Sequence, residues 1–299
     1  MDNIGHTYIL TNSTGASIHI SAIGASWLSA FFPDKKGRLA DVLAGYATEE
    51  GFIHDEHYMG RTIGPFANRV MTPQGIVNHS GLSSFHDKEF HLMEQSKHKL
   101  RFGLDYVDAF GIYPPMQIEV TYTLSEEGCV TIQHEVHPSQ PTYLSLTNHA
   151  YFNLRGSGTA VGHIFEVAAD EQLEMRSDFL PTGRILPATD KVLRLAEPSL
   201  INTCYLLHHR QSYDARLIDP QSGRCLTIRT TLPAILFYSG SFLSSTSPGK
   251  QHTPLQPCEG VAMETQFCPD SQHNQHFPPC LFTPEHFYLH TTQYQFSTL

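Results

Sequence analysis

The sequence predicts an all-β protein, arranged as a large antiparallel β-sandwich, and three observations lead to this fold class. Apolar and polar residues alternate over many short segments, which is the period of a half-buried strand. No stretch of a dozen residues keeps the 3.6-residue apolar period of an amphipathic helix. The 21 glycines and 19 prolines are spread along the chain, where they mark turns. We therefore expect two large packed sheets of short strands.

Individual strands can be placed along the chain from this alternation. In Met116–Leu124 five apolar side chains alternate with four polar ones, so one face of the strand is expected in the core. The alternation resumes at residues 130–136 after a turn at 125–128, which predicts a hairpin. Further strands are predicted at residues 215–218, 225–230 and 288–297, and the short apolar run at 234–238 predicts a strand buried in the sandwich. Nothing in the pattern divides the chain, and we expect a single domain over residues 1–299.

Composition and charge exclude several classes of protein. Hydrophobic residues make up 40% of the 299 residues and charged residues 16%, which indicates a folded protein rather than a disordered one. The net charge of -10 argues against a nucleic-acid partner, because phosphate binding requires clustered Lys and Arg. Residues 1–15 lack the basic and apolar regions of a secretory signal. No window approaches the roughly 20 apolar residues of a membrane span, so we expect no membrane partner.

The cysteine and histidine patterns bear on location and on metal binding. The six cysteines form no C-x-x-C pair and no tight framework, which favours a reduced, cytoplasmic protein. The 19 histidines include close pairs, but none has the acidic or cysteine partners of a recognisable zinc motif. The chain also lacks a glycine-rich phosphate loop. We therefore expect neither a metal site nor a cofactor.

Three polar segments interrupt the apolar alternation, and a β-sandwich does not require such segments for its fold. They are residues 60–70 (G-R-T-I-G-P-F-A-N-R-V), 146–154 (L-T-N-H-A-Y-F-N-L) and 263–274 (M-E-T-Q-F-C-P-D-S-Q-H-N). Each places an ionisable or amide side chain among apolar neighbours, where burial shifts a pKa and a polar group requires a partner. Each also has a purely structural explanation: a surface turn, a core histidine bonded to a backbone carbonyl, or a carboxylate in a salt bridge.

Together and in this order, the three segments resemble the signature of the aldose 1-epimerase, or galactose mutarotase, family. The likeness extends over residues 23–297 and includes L-P-T-G at 180–183 and F-Y-S-G-S-F-L at 237–243. N-H-A-Y-F-N-L followed by E-T-Q-x-x-P-D is its most specific part. The resemblance implies a galactose mutarotase-like sandwich and a cofactor-free enzyme. Such an enzyme interconverts the α and β anomers of a monosaccharide, here a free aldohexose such as galactose or glucose.

The resemblance also implies roles for single residues. Glu264 matches the family's general base, which removes the proton from the C1 hydroxyl, and His149 matches the general acid that protonates the ring oxygen. Such groups contribute roughly 10²–10⁴-fold each, and we expect them to face each other across the width of a sugar ring. An ionised Glu264 and a protonated His149 imply a bell-shaped pH–rate profile, bounded by a carboxylate and an imidazole ionisation. Arg69 matches an arginine that binds sugar hydroxyls, with Asn68 beside it.

Two further binding residues match the family in segments that have diverged. His79 matches a second histidine and keeps the six-residue step to an aromatic residue, although only one of the flanking glycines is kept. Asn202 matches a substrate-binding aspartate, and its amide donates and accepts hydrogen bonds without the charge. Tyr151, Phe152 and Phe267 are candidates for an apolar floor under the sugar, but for any one of them packing in the core is the favoured role.

Other departures from the family concern the surroundings of these residues. Pro65 stands where the family has an arginine, and Ser241 stands where it often has an asparagine. Segment 70–78 is much shorter than the family's hairpin, so its strand is expected to be missing or rebuilt. An enzyme of altered sugar preference is favoured. A sugar-phosphate 1-epimerase, drawing on Arg61 and Arg69, and a non-catalytic sugar-binding or regulatory module are the alternatives.

Overall fold

The computed structural model describes residues 6–299. Residues 1–5 lie outside this range; they belong to the stretch in which the sequence predicts no secretory signal. Within residues 6–299 the only α-helix, α1, is the five-residue segment Glu49–Ile53, whose N-terminus is capped by the side chain of Thr48. Two 3₁₀ turns, Gly81–Ser83 and Ser271–His273, complete the helical structure of these residues. No helix there is long and apolar enough to cross a membrane.

Short strands form the rest of the regular structure, so the prediction of an all-β fold is confirmed. In chain order they are β1 (Thr7–Thr11), β2 (Ser17–Ser21), β3 (Ser26–Pro33), β4 (Leu39–Asp41), β5 (Thr62–Ile63), β6 (Arg69–Thr72), β7 (Gly75–Asn78), β8 (His91–Gln95), β9 (Lys99–Tyr106), β10 (Met116–Leu124), β11 (Cys129–Pro138), β12 (Thr142–Tyr143), β13 (Thr147–Asn148), β14 (Tyr151–Phe152), β15 (Ile164–Val167), β16 (Ala169–Met175), β17 (Pro181–Pro187), β18 (Val192–Arg194), β19 (Asn202–Leu207), β20 (Ala215–Ile218), β21 (Arg224–Thr230), β22 (Ala234–Tyr238), β23 (Val261–Gln266), β24 (Leu281–Phe282) and β25 (Tyr288–Thr298).

These strands form three larger sheets and three two-stranded ribbons in the described part of the chain. The four-stranded sheet has the order β1-β2-β3-β4, and the six-stranded sheet has the order β14-β23-β22-β19-β16-β17. The nine-stranded sheet has the order β18-β15-β20-β21-β25-β11-β10-β9-β8. The ribbons pair β5 with β13, β6 with β7 and β12 with β24. All of these pairings are antiparallel, as predicted.

The strand bounds follow the sequence alternation closely. The segment Met116–Leu124 is β10, its five apolar side chains are buried, and it forms the predicted hairpin with β11. The predictions at 215–218 and 234–238 coincide with β20 and β22. Those at 225–230 and 288–297 differ from β21 and β25 by one residue at one end. Alternation is a reliable guide here because a one-residue slip would turn a buried face outward.

The nine-stranded and six-stranded sheets pack face to face, and the largest group of buried side chains joins them to each other and to the four-stranded sheet. Phe165 on β15 stacks on Phe237 on β22 with ring centroids 4.2 Å apart. The hydroxyls of Thr265 on β23 and Thr292 on β25 are 2.8 Å apart. The side chains of this core come from nearly the whole length of the chain, the first being Leu10 and the last Phe296. The arrangement of two large packed sheets confirms the predicted sandwich.

Candidate active site

One cavity is lined by all six residues that were predicted to have catalytic or sugar-binding roles: Asn68, Arg69, His79, His149, Asn202 and Glu264. Its volume is about 210 Å³. The lining residues are Glu56, His57, Tyr58, Asn68, Arg69, Asn78, His79, His149, Tyr151, Phe179, Leu200, Asn202, Tyr238, Phe242 and Glu264. The six predicted site residues come from segments far apart in sequence, and the fold brings all of them to this cavity.

The six-stranded sheet supplies one wall of the cavity. In β23 the side chain of Met263 enters the core between the large sheets, so Glu264 points to the opposite face, because successive side chains alternate. Asn202 on β19 and Tyr238 on β22 line the cavity and are direct partners in the strand register. Glu264 pairs with Leu236, two residues before Tyr238. This face of the sheet therefore presents a carboxyl group, an amide and a phenol side by side.

His149 reaches the cavity from the connection between β13 and β14. Its N–H donates to the carbonyl of Arg61 (2.9 Å), and its carbonyl accepts from the N–H of Gly60 (3.0 Å). Its Nε2 atom lies 3.5 Å from Oε1 of Glu264. The expectation that the width of a sugar ring separates the two groups is therefore wrong. The reason is chemical: the ring oxygen and the C1 hydroxyl are bonded to one carbon, so groups that serve both must stand side by side.

Arg69 and His79 are brought together by a short hairpin. β6 begins at Arg69 and β7 ends at Asn78, and these two residues are partners in the register. Asn68 closes the base of the hairpin, since its carbonyl accepts the N–H of His79 (2.9 Å) and its own N–H donates to Nδ1 of His79 (3.0 Å). Asn68 has a φ of 65°, a left-handed conformation that asparagine tolerates better than most residues. The shortened segment 70–78 thus keeps a rebuilt hairpin with four-residue strands.

Burial controls the charge state of Glu264 and His149. Their side chains are 2% and 6% exposed. Desolvation raises the pKa of Glu264 to about 8, against the opposing charge of Arg69, and it lowers the pKa of His149 to about 4. The order of the two pKa values is the reverse of the sequence-based expectation. Between these values the pair holds one proton, which resides on the carboxyl group, so the 3.5 Å contact in the free protein is a neutral one.

His79 is a fixed hydrogen-bond donor. Because its Nδ1 accepts the N–H of Asn68, a neutral ring carries its proton on Nε2. Burial, and then the charge of His149, hold its pKa well below the ordinary value, which keeps the ring neutral. One ligand atom each of His79, His149 and Glu264 lie within 4.8 Å of one another, a spacing compatible with a metal ion. The Nε2 proton of His79 opposes ligation through that nitrogen, and the absence of a metal site stays a prediction.

Aromatic side chains that were not assigned to a site from the sequence form much of the remaining wall. They are Tyr58, Phe179, Tyr238 and Phe242. Of the three aromatics named as candidates for a floor under the sugar, only Tyr151 lines the cavity; Phe152 and Phe267 are packed in the core, which was their favoured role. The ring of Phe179 lies 4.7 Å from the guanidinium of Arg69, a cation–π contact that orients this charge. Tyr238 and Phe242 belong to the F-Y-S-G-S-F-L stretch, but the sequence did not place any of the four at the cavity. Tyr238 is the last residue of β22, and the other three lie in loops.

Several polar atoms at the cavity have no protein partner among the described residues. They are Oε2 of Glu264, Nδ1 of His149 and Oδ1 of Asn78, all buried. A buried polar atom without a hydrogen bond is costly, and most such atoms in proteins are paired. Unpaired donors and acceptors in one small cavity therefore indicate a site for a polar ligand with several hydroxyl groups.

The second arginine considered for phosphate binding does not reach the cavity. Arg61 has a side chain only 4% exposed, lies 3.4 Å from Oδ2 of Asp55 and donates to the carbonyl of His86 at 3.1 Å. Arg69 is the only lysine or arginine among the residues that line the cavity. Pro65, which replaces a family arginine, also lies outside the lining. The cavity therefore has one lysine or arginine side chain, which is fewer than a phosphate-binding site is expected to have.

The chain is similar to known proteins over nearly its whole length. The family model described as aldose 1-epimerase matches residues 6–295. The galactose mutarotase of Mus musculus is 31% identical, over 94% of this chain and 91% of its own length. The aldose 1-epimerase of Escherichia coli strain K12 is 26% identical, over 96% and 94%. The solved structure of an aldose epimerase homologue from C. elegans matches with a TM-score of 0.90 and 26% identity, covering 98% of this chain and 99% of that one. The chain therefore belongs to the aldose 1-epimerase family of isomerases.

Proposed function

We propose that the chain interconverts the α and β anomers of a free aldohexose such as galactose or glucose, with Glu264 as general base and His149 as general acid. The observation that carries this proposal is the 3.5 Å separation of Glu264 Oε1 and His149 Nε2 inside the cavity. A proton acceptor and a proton donor so placed serve two oxygens on one carbon at once.

The reaction follows from this placement. Glu264 takes the proton of the C1 hydroxyl while the bond between C1 and the ring oxygen breaks. The electron pair of that bond goes to the ring oxygen, which receives a proton from His149, and the products are an aldehyde and a free hydroxyl. Rotation about the C1–C2 bond presents the other face of the aldehyde, and reclosure with the proton transfers reversed gives the other anomer.

The single proton of the pair suits a reaction that runs in both directions. Ring opening and reclosure each need one protonated group as acid and one deprotonated group as base. A pair that shares one proton supplies both. The free protein keeps this proton on Glu264. Transfer to His149 across 3.5 Å produces the ionised base and the protonated acid. The positive charge of Arg69 favours that transfer, because it stabilises the carboxylate.

The remaining predicted residues are assigned to the sugar hydroxyls. Arg69 donates from its guanidinium and His79 donates from Nε2. Asn202 donates and accepts through its amide. The side-chain oxygen of Asn68 accepts the N–H of Arg69 (2.8 Å), which leaves its NH₂ group for the substrate. These groups carry a single formal charge, which favours an uncharged sugar over a sugar phosphate.

Polarimetry on freshly dissolved α-D-galactose and α-D-glucose tests the function. The parent protein is expected to accelerate the change in rotation above the buffer-catalysed rate, and Glu264→Gln is expected to lose roughly 10²–10⁴-fold of kcat. Calorimetric titration with galactose should show that Glu264→Gln keeps its affinity, whereas Arg69→Ala should bind more weakly. Glu259→Gln is a matched control, because Glu259 is also buried (4% exposed) but lies outside the cavity.

Each alternative has its own outcome in these assays. Saturable sugar binding without any acceleration would replace the enzyme with a sugar-binding module. Faster turnover of glucose 6-phosphate than of glucose would favour a sugar-phosphate epimerase. If Glu264→Gln turns over both sugars at the parent rate, the acid–base assignment is wrong.

We also propose that the protein works in the cytoplasm. The support is that Cys129, Cys204, Cys225, Cys258, Cys268 and Cys280 are free thiols. Unpaired cysteines are typical of a reducing compartment. Fractionation of source cells with an antibody against the chain tests the location, and recovery from the secreted fraction would contradict it.

A further inference from the structure

Tyr58 lies among the imidazoles of the cavity, at a position outside the segments that carry the family resemblance. Its ring is edge-on to those of His79 and His86, with centroids 4.7 and 5.0 Å apart, and its centroid lies 6.0 Å from that of His149. The rings of His79 and His149 are themselves 5.4 Å apart. The phenol ring is thus a common neighbour of the proposed general acid and the fixed donor.

The loop around Tyr58 is held in an unusual conformation. Tyr58 has a φ of 58°, a left-handed backbone that is rare for a bulky aromatic residue. The buried carboxylate of Asp55 accepts the N–H of His57 at 2.8 Å and the N–H of Met59 at 2.6 Å, one on each side of Tyr58. Nε of Arg61 lies 3.4 Å from the same carboxylate and balances its charge. Strained residues held by their surroundings in this way cluster at functional sites.

The same loop is attached to two walls of the cavity. The N–H of Gly60 donates to the carbonyl of His149, which links the loop to the chain that carries the general acid. Nε2 of His57 lies 2.7 Å from the carbonyl of Ser244, in the loop that also carries Phe242. A displacement of Tyr58 and its loop would therefore also displace the backbone of His149.

We propose that Tyr58 is a positioning residue, whose ring fixes the imidazoles of His149 and His79 and screens His149 from water. The Asp55–Arg61 pair holds the ring in place. The inference rests on the proposed function, since it concerns the acid of that reaction.

Other side chains also lie near His149 and influence its protonation, so a test of Tyr58 must leave them unchanged. They are Glu264, His79 and Tyr151, with the charges of Asp55 and His57 nearby. Replacement of Tyr58 by leucine leaves every one of these groups in the chain. A change in the titration of His149 would then report the loss of the ring.

The experiment compares Tyr58→Leu with Tyr58→Phe by polarimetry on galactose over a range of pH. Tyr58→Phe keeps the ring and is expected to keep the parent kcat. Tyr58→Leu should lower kcat about 10- to 100-fold through misplaced imidazoles, with a smaller change in KM. It should also move the acid limb of kcat/KM upward from about pH 4, because water reaches His149. Tyr213→Leu is the control, since that ring lies over Arg216 and does not line the cavity.

A parent kcat and an unmoved acid limb in Tyr58→Leu would overturn the inference. An equal loss in Tyr58→Phe would also overturn it, because the hydroxyl rather than the ring would then matter. Should Tyr58→Leu fail to fold by circular dichroism, Tyr58→Met fills more of the same space and is measured in its place. If the parent protein does not accelerate mutarotation, the proposed function fails. In that case the pKa of His149 is measured by NMR titration in the parent and in the variant, which tests the inference without catalysis. An unshifted pKa in the variant would overturn it.

Discussion

Glu264 is only 2% exposed, and its place in the six-stranded sheet removes the water that would stabilise its carboxylate. The guanidinium of Arg69 favours the ionised form without overcoming the effect of burial. A carboxyl group in such surroundings disfavours folding at any pH where it must ionise. Position 264 is therefore one where the proposed function and the stability of the fold are opposed.

Glu264→Gln is expected to stabilise the protein increasingly as pH rises from about 4.5 to about 8. The folded-state pKa of Glu264, about 8, lies above its ordinary 4.5. In this window the folded chain holds a proton that the unfolded chain has released, so the parent loses stability with rising pH. Glutamine removes that loss, which grows by 1.36 kcal/mol for each pH unit above 4.5 and so reaches about 3 kcal/mol at pH 7.

Urea unfolding of parent and Glu264→Gln at pH 4.5, 6, 7 and 8 measures this effect. The difference in unfolding free energy should be small at pH 4.5 and should grow with pH. A difference that is the same at all four values would show that the carboxyl group is not held protonated by burial.

The pH–rate profile of the parent is expected to be broad. Its acid limb arises when His149 takes up a second proton near pH 4, and its basic limb arises when Glu264 loses the shared proton near pH 8. kcat/KM for galactose, measured from pH 3.5 to 9.5, should be flat between these limbs. A narrow optimum bounded by an ordinary carboxylate near 4.5 and an ordinary imidazole near 6.5 would contradict the burial of the pair.

At the scale of secondary-structure elements, alternation and hairpin signals gave the bounds of β10 and β20, and a short apolar run gave those of β22. The motif residues Arg69, His149 and Glu264 all line one cavity. The aromatic side chains of the cavity could not be assigned to it from sequence, even though Tyr238 and Phe242 lie in a stretch that resembles the family. Tyr58 and Phe242 lie in loops without a repeating pattern, and their place depends on contacts between distant segments.

The hairpin of β6 and β7 shows how one element depends on another motif. Oδ1 of Asp270 accepts the N–H of Met71 (3.0 Å) and contacts Nδ1 of His273 (2.7 Å). Met71 lies two residues after Arg69 on β6. The P-D step of the third motif therefore anchors the strand that carries Arg69, the arginine proposed to bind the sugar.

Asp270→Ala is expected to raise KM for galactose about tenfold, the effect of roughly one lost hydrogen bond. kcat should change less, because Glu264 and His149 are held by other elements. Asp270→Asn is the matched control: its amide oxygen can still accept the N–H of Met71, and asparagine tolerates the left-handed φ of 53° at this position. Equal KM values in the alanine variant and the parent would show that the hairpin does not need this anchor.

At the scale of the whole molecule, one side chain joins the three larger sheets. Trp27 on β3 of the four-stranded sheet is 1% exposed. Its ring lies 5.8 Å from that of Phe152 on β14 of the six-stranded sheet. It also lies 5.3 Å from Tyr294 and 6.3 Å from Phe296, both on β25 of the nine-stranded sheet. No one of the three sheets can leave the others without exposing part of this aromatic cluster.

Unfolding is therefore expected to be a single transition, and Trp27 reports it. It is the only tryptophan in the chain, so intrinsic fluorescence follows the junction of the sheets, whereas far-UV circular dichroism follows all the strands. If residues 1–299 form one cooperative domain, the two signals should give the same urea midpoint. Galactose at a hundred times its Kd should shift both midpoints together, by the equivalent of about 2.7 kcal/mol, since it binds only the folded chain. A fluorescence transition at lower urea than the dichroism transition would place the four-stranded sheet in a separate unit, and the prediction of a single domain would be wrong.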